Sequence, residues 1–197
     1  MARAPKPKLE KTETTREVAV PTGVVSPLKP APRADGARLR NETTRATLEL
    51  PDGTTRVLVE RDLPRDCSRG FVNAAFVPEL HGASILVGTG DGLELVTDGG
   101  EVVARLALSA PVWGVHALGE GTAVLRATGL LLFVALDARD ARAPLVLLGK
   151  LTIPKEANLT IHGGHAYFSR DLSLVSKRWW RVDGVPELRD WVLPRAG

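Results

Sequence analysis

Three features of the 197-residue sequence predict an all-β fold. A unit of four short apolar strands recurs at a blade-sized period of ~40–45 residues. Asp-Gly turns stand between alternating runs, a strong hairpin signal. No stretch carries a sustained helical period. Together they predict a partial or minimal β-propeller of three to four four-stranded blades, preceded by an extended N-terminal tail.

The tail comes first, as residues 1 to about 40. It holds nine Lys/Arg against four Asp/Glu and six of the fourteen prolines, while all nine aromatics lie beyond position 70. Such a segment buries too little surface to offset its ordering entropy. It reads as a basic, mostly extended tail of which a solvated linker is the plainest account, with residues 41–197 as the repeat domain. Two apolar pieces within it, around Val18–Val20 and Val24–Val25, are able to dock as strands.

Thr47-Leu-Glu-Leu50, Pro51-Asp-Gly-Thr54 and Arg56-Val-Leu-Val-Glu60 read as two strands around a tight turn. Beyond Phe71 a pattern of glycine, any residue, a small residue and two apolar ones recurs. It appears as Gly82-Ala-Ser-Ile-Leu86, Gly121-Thr-Ala-Val-Leu125 and Gly164-His-Ala-Tyr-Phe168. A strand precedes each copy: Val72–Val77, Val112–Leu118 and Ala157–Ile161. Two follow each copy, ending with Val102–Leu108, Leu145–Leu151 and Leu188–Leu193. The hairpin at 47–60 resembles the outer half of one more unit, so the count is three and a half. Closed propellers have ~4–8 blades. Three solutions are open: strands near Val18–Val25 complete a fourth blade, copies share a ring, or another chain supplies the missing blades. A twisted sandwich or open sheet is the alternative architecture.

Leu132-Phe-Val-Ala-Leu-Asp137, followed by a polar turn reaching Pro144-Leu-Val-Leu-Leu-Gly149, resembles the bacterial LVIVD-type propeller repeat. His162-Gly-Gly-His-Ala-Tyr-Phe-Ser169 is similar to that repeat's glycine-led strand, and Val182-Asp-Gly-Val-Pro-Glu-Leu188 to a shortened version of its turn. The resemblance covers residues 125–193 best and 70–110 loosely. It implies a propeller with a binding or scaffolding role and carries no catalytic or ligand residues.

Composition excludes several classes. No run of ~20 apolar residues is present to span a membrane as a helix. The single cysteine, Cys67, excludes a disulfide framework and a cysteine-rich zinc module. A net charge of +3 is too small to argue for nucleic acid. The basic start is followed by no apolar signal-like stretch, so the expected location is cytoplasmic, or the envelope or cell surface if an export signal lies upstream.

Candidate chemistry is sparse. Gly88, Gly90 and Gly92 have the wrong spacing for a dinucleotide fingerprint and read as a hairpin turn, and Gly149-Lys150 lacks the rest of a P-loop. Cys67 has two nearby cations that favour a thiolate but no catalytic signature around it. Asp137, Asp140, Asp183 and Asp190 suit turn caps. His81, His116 and His162 fall near successive first turns, and His162-Gly-Gly-His165 sets two imidazoles around one turn, a weak transition-metal signal. Ordinary solvated loops are the plainer reading, so no metal and no cofactor is expected. The sequons at Asn41 and Asn158 carry no weight without export.

Trp179, Trp180 and Trp191 are the interface candidates, because tryptophan on an outermost blade face suits a partner. Blade–blade packing is the alternative. The expected function is a non-enzymatic scaffold or protein-interaction subunit, engaging a protein partner or a second copy through its terminal blade edges. The alternatives are an envelope binding protein and a propeller enzyme with a rim-loop site.

Overall fold

The computed structural model describes residues 15–18, 32–42, 44–60, 73–119, 121–155, 157, 159–169 and 179–182. These residues are all β, with no helix among them, and the strands form four antiparallel sheets. The first blade is β2 (Arg38–Asn41), β3 (Arg45–Glu49) and β4 (Thr55–Glu60). The second is β5 (Ala74–Leu80), β6 (Ala83–Gly88), β7 (Gly92–Val96) and β8 (Val102–Ala107). The third is β9 (Gly114–Gly119), β10 (Thr122–Ala127), β11 (Leu130–Leu136) and β12 (Leu145–Thr152). The fourth holds β13 (Leu159–His162), β14 (His165–Ser169) and β15 (Trp179–Val182), with β1 (Thr15–Val18) alongside β15. Consecutive blades of this kind are the propeller architecture the repeat predicts.

β2–β4, β5–β8, β9–β12 and β13–β15 each lie side by side in chain order, and β1 is the exception, standing beside β15. The predicted Pro51-Asp-Gly turn is a hairpin: Gly53 N–H donates to the Leu50 carbonyl and Leu50 N–H to that of Thr54. Asp52 accepts from the Thr54 N–H at 2.8 Å, and Gly53 takes the left-handed φ of 86° that closes the turn. Thr97–Glu101 repeats both backbone bonds between β7 and β8. The glycines of 88–92 likewise form a turn, with Thr89 N–H donating to the Gly92 carbonyl.

Three apolar cores join successive blades among the described residues. Leu39 and Leu48 meet Ile85, Val87 and Val96 between the first and second. Leu86, Leu93 and Leu95 meet Val115, Leu125 and Val134 between the second and third. Val124, Leu131 and Phe133 meet Ala166, Phe168 and Val182 between the third and fourth. Alternation explains the pattern: Ile85 and Val87 face one neighbour while Leu86 faces the other. β6 is therefore buried along its whole length, whereas the outer strand β8 exposes half its residues or more. Near-continuous apolar runs such as Ser84–Gly88 reflect burial on both faces.

Two strands draw on residues 1–40, β1 wholly and β2 for all but its last residue, Asn41. β1 pairs antiparallel with β15 in the register Thr15↔Val182 to Val18↔Trp179, so the position beside β15 is filled from the N-terminal side. The fourth strand read at Leu188–Leu193 lies outside the described residues, as do Ala19, Val20 and the apolar piece at Val24–Val25. β2 adds a strand ahead of the predicted hairpin, pairing Arg38↔Glu49 through Asn41↔Ala46. The first blade thus has three described strands where the sequence parallel showed two.

Candidate functional site

Trp179 and Trp180 belong to β15, which is flanked on one side by β14 and on the other by β1. In the backbone register Trp180 stands opposite Phe168 and Glu17, and Trp179 opposite Ser169 and Val18. Neither residue is on an edge strand of that sheet. Trp191 and Cys67 lie outside the described residues, as do Asp183 and Asp190.

The outer face of the first blade is a different surface. Leu39, Ala46 and Leu48 point into the core with the second blade, so the alternate residues point away from it. Two cross-strand rows result, Arg38–Glu49–Thr55 and Arg40–Thr47–Val57. Arg38, Arg40, Thr55 and Val57 are exposed, Val57 by 50%. Arg40 Nε lies 3.8 Å from Glu49 Oε1. Arg45 Nε reaches Glu42 Oε2 at 2.5 Å, and that bond holds the guanidinium's pKa above its usual range. The outward positions of this face carry arginines and a glutamate around Thr47, which is itself buried.

The opposite face of the first blade is tied to the second by polar groups. Asn41, 6% exposed, donates from Nδ2 to the Ala74 carbonyl at 3.0 Å and accepts from the Ala74 N–H at 2.8 Å. The side chain completes a two-bond ladder where no strand partner stands. Asn73 Nδ2 donates back to the Glu42 carbonyl at 2.9 Å. The buried amide of Asn41 is structural, whatever its sequon suggests. At the rim, Arg33 bonds Asp98 at 2.8 and 2.5 Å, Asp35 at 3.0 and 2.6 Å, and the Ser84 hydroxyl at 2.7 Å. Its guanidinium also sits 5.3 Å from the Phe76 ring centre. These bonds raise the Arg33 pKa, and the Arg33 contact followed by the Ala37 N–H pulls the Asp35 carboxyl down to about 2. Arg56 crosses from β4 to the Asp98 carbonyl.

Asp137 and Asp140, the described two of the four predicted turn caps, bond local backbone groups. Asp137 accepts from the Arg139 guanidinium at 2.8 and 2.9 Å and from its backbone N–H at 3.0 Å, which lowers the carboxyl pKa. Asp140 accepts from the Arg142 N–H at 2.9 Å.

The histidines form no common cluster of three among the described residues. His81 occupies the β5–β6 turn with φ 52°. His116 lies inside β9, 8% exposed. Burial first, and the Arg126 cation second, push its imidazole down to about 4. His162 and His165 end β13 and begin β14, directly opposite one another and exposed. No group of three metal-ligating side chains occurs among the described residues, and no helix there is long and apolar enough to cross a membrane.

No family model and no curated protein matches this chain, so the LVIVD-type resemblance rests on the sequence alone. Among solved structures it is similar to virginiamycin B lyase from Staphylococcus aureus. Identity there is 13% and the TM-score 0.47, covering 75% of this chain and 48% of that one. It is also similar to Hsv2 of Kluyvelomyces marxianus, at 8% identity and TM-score 0.41, covering 70% and 42% respectively. The chain spans about half the length of these solved structures or less.

Proposed function

We propose that this chain is a non-enzymatic propeller scaffold that assembles with a second protein chain, another copy of itself in the simplest case, through the outer face of the first blade. One observation carries the reading: that face is an exposed strand surface bearing Arg38, Arg40 and Arg45 beside Glu49 and Val57. A blade face inside a ring packs against an apolar neighbour, and burying three guanidinium groups there costs desolvation unless each finds a partner. A protein surface of mixed charge meets that requirement. Arginine is also over-represented among residues that dominate interface energies. Of the three, Arg38 makes no ion pair within the described residues and is the group a partner carboxylate would engage.

The test is absolute mass in solution by light scattering at two concentrations. An oligomer is expected that weakens with salt and dissociates in Arg38→Glu, Arg40→Glu, since opposed charges at an interface cost several kcal/mol when the sign is reversed. A compact monomer of 21.1 kDa at both concentrations, unchanged by the double substitution, removes self-assembly through this face.

A further inference from the structure

We infer that His162 and His165 form a two-imidazole clip for a late first-row transition ion, Cu²⁺, Ni²⁺ or Zn²⁺. This does not depend on the assembly reading. The sequence shows only that two glycines separate the histidines. The structure adds the geometry that makes the spacing meaningful. Gly163 and Gly164 have φ of 55° and 73°, the two positive values of a type I′ hairpin turn. That turn fixes the register, and His162 is the direct cross-strand partner of His165. Directly opposed residues have Cβ atoms about 4.5–5.5 Å apart and project from one face. Two nitrogens bound to one ion at about 2.0–2.1 Å each must lie roughly 3 Å apart, a separation such imidazoles reach by leaning together.

Three further observations favour binding. Both histidines are exposed, so an ion can enter. They share a face with Tyr167, since the Thr160–Tyr167 pair stands two residues along the ladder from His162–His165. Tyr167 is 8% exposed, and its ring centre lies 6.5 Å from that of His162 at 60°. A buried ring there restricts the His162 side chain and reduces the ordering that binding requires. Glycine at both turn positions is also needed for the geometry, because left-handed φ at two successive residues is costly for others. Imidazole nitrogen selects copper, nickel and zinc over hard cations, which prefer oxygen. Water completes the coordination.

His81 supplies an internal control. It sits in the turn of the corresponding hairpin of the second blade, whose flanking pair is Leu80 and Ala83. It is a lone exposed histidine on a comparable turn.

The experiment titrates the tag-free full chain near pH 7.5 with Zn²⁺ alone, following all imidazole ring protons by NMR, and then with Cu²⁺, read by electron paramagnetic resonance. One equivalent is expected to shift His162 and His165 together while His81 lags, with copper showing two coupled nitrogens. His162→Ala and His165→Ala are each expected to weaken binding by roughly 10²-fold, the low end of what linking two ligands contributes. Both positions are exposed, and unchanged backbone shifts report that each variant folds. If either single variant keeps the parent affinity, or His162 and His165 respond no earlier than His81, the ion is adventitious and the clip is overturned.

Discussion

Removing the Asn41 amide tests the join between the first and second blades. Asn41→Ala takes away two hydrogen bonds, at 3.0 and 2.8 Å, in a site only 6% exposed. Each bond contributes about 1 kcal/mol net, and a buried N–H or carbonyl left unpaired costs about 1–3 kcal/mol. Those figures overlap, so the expected loss is about 2–4 kcal/mol. Urea unfolding reads it: with a slope near 2 kcal/mol/M, the midpoint falls by about 1–2 M at unchanged slope. Asn41→Asp keeps the shape and supplies a sharper signature. A carboxylate oxygen then faces the Ala74 carbonyl in dry surroundings, which raises the folded-state pKa above the unfolded value near 3.9. The folded protein holds that proton more tightly. The variant therefore matches the parent best below about pH 4 and loses stability as pH rises through the raised folded pKa. A loss under about 0.5 kcal/mol for the alanine, or an aspartate penalty that ignores pH, would overturn this account.

Other outcomes follow from the same geometry. His116 is depressed to about 4, so the unfolded chain binds its proton first as acid is added. Its contribution is whole above about pH 6.5 and shrinks by about 3 kcal/mol as pH falls to 4, and urea unfolding of His116→Leu should lose that slope. A Cβ on Gly92 would overlap the Leu106 carbonyl oxygen, whereas nothing lies within 4 Å of one on Gly90. Gly92→Ala should cost more than about 2 kcal/mol by thermal unfolding while Gly90→Ala stays within about 0.5. The Asp35 carboxyl, held near 2 by Arg33, should titrate upward toward the ordinary aspartate range in Arg33→Gln, as followed by carboxyl-carbon NMR.

Legibility in the sequence varied with how local each decision is. β6, β7, β10 and β11 were readable because their apolar runs and flanking glycines are set by nearby turns. β2 was hidden by its composition. Arg38 and Arg40 alternate with Leu39 and Asn41, and only the last two are buried, so charge and proline counting placed the segment in a tail. β1, Thr-Arg-Glu-Val, has no alternation to detect, and its pairing is a tertiary choice. Asn41 was legible as a sequon and not as a ladder substitute, since that role depends on Ala74 arriving beside it. His162 and His165 were visible as a spacing, whereas their opposition needs the turn type. The charged face of the first blade follows from register: once Leu39 and Leu48 turn inward, the arginines have one direction left.

The β1–β15 pairing joins Thr15 to Val182, a separation of 182 − 15 = 167 residues. Synthesis runs at about 5–20 residues per second, so Val182 is made about 8–33 s after Thr15. Through that interval the earlier blades can close upon one another as they emerge, while β1 waits without its strand partner. The sheet of β13–β15 is therefore joined by a strand made well before it, the earliest among the described residues. During translation an unpaired strand of this kind is open to chaperones and to neighbouring nascent chains, and the order of synthesis becomes part of how this molecule reaches its fold.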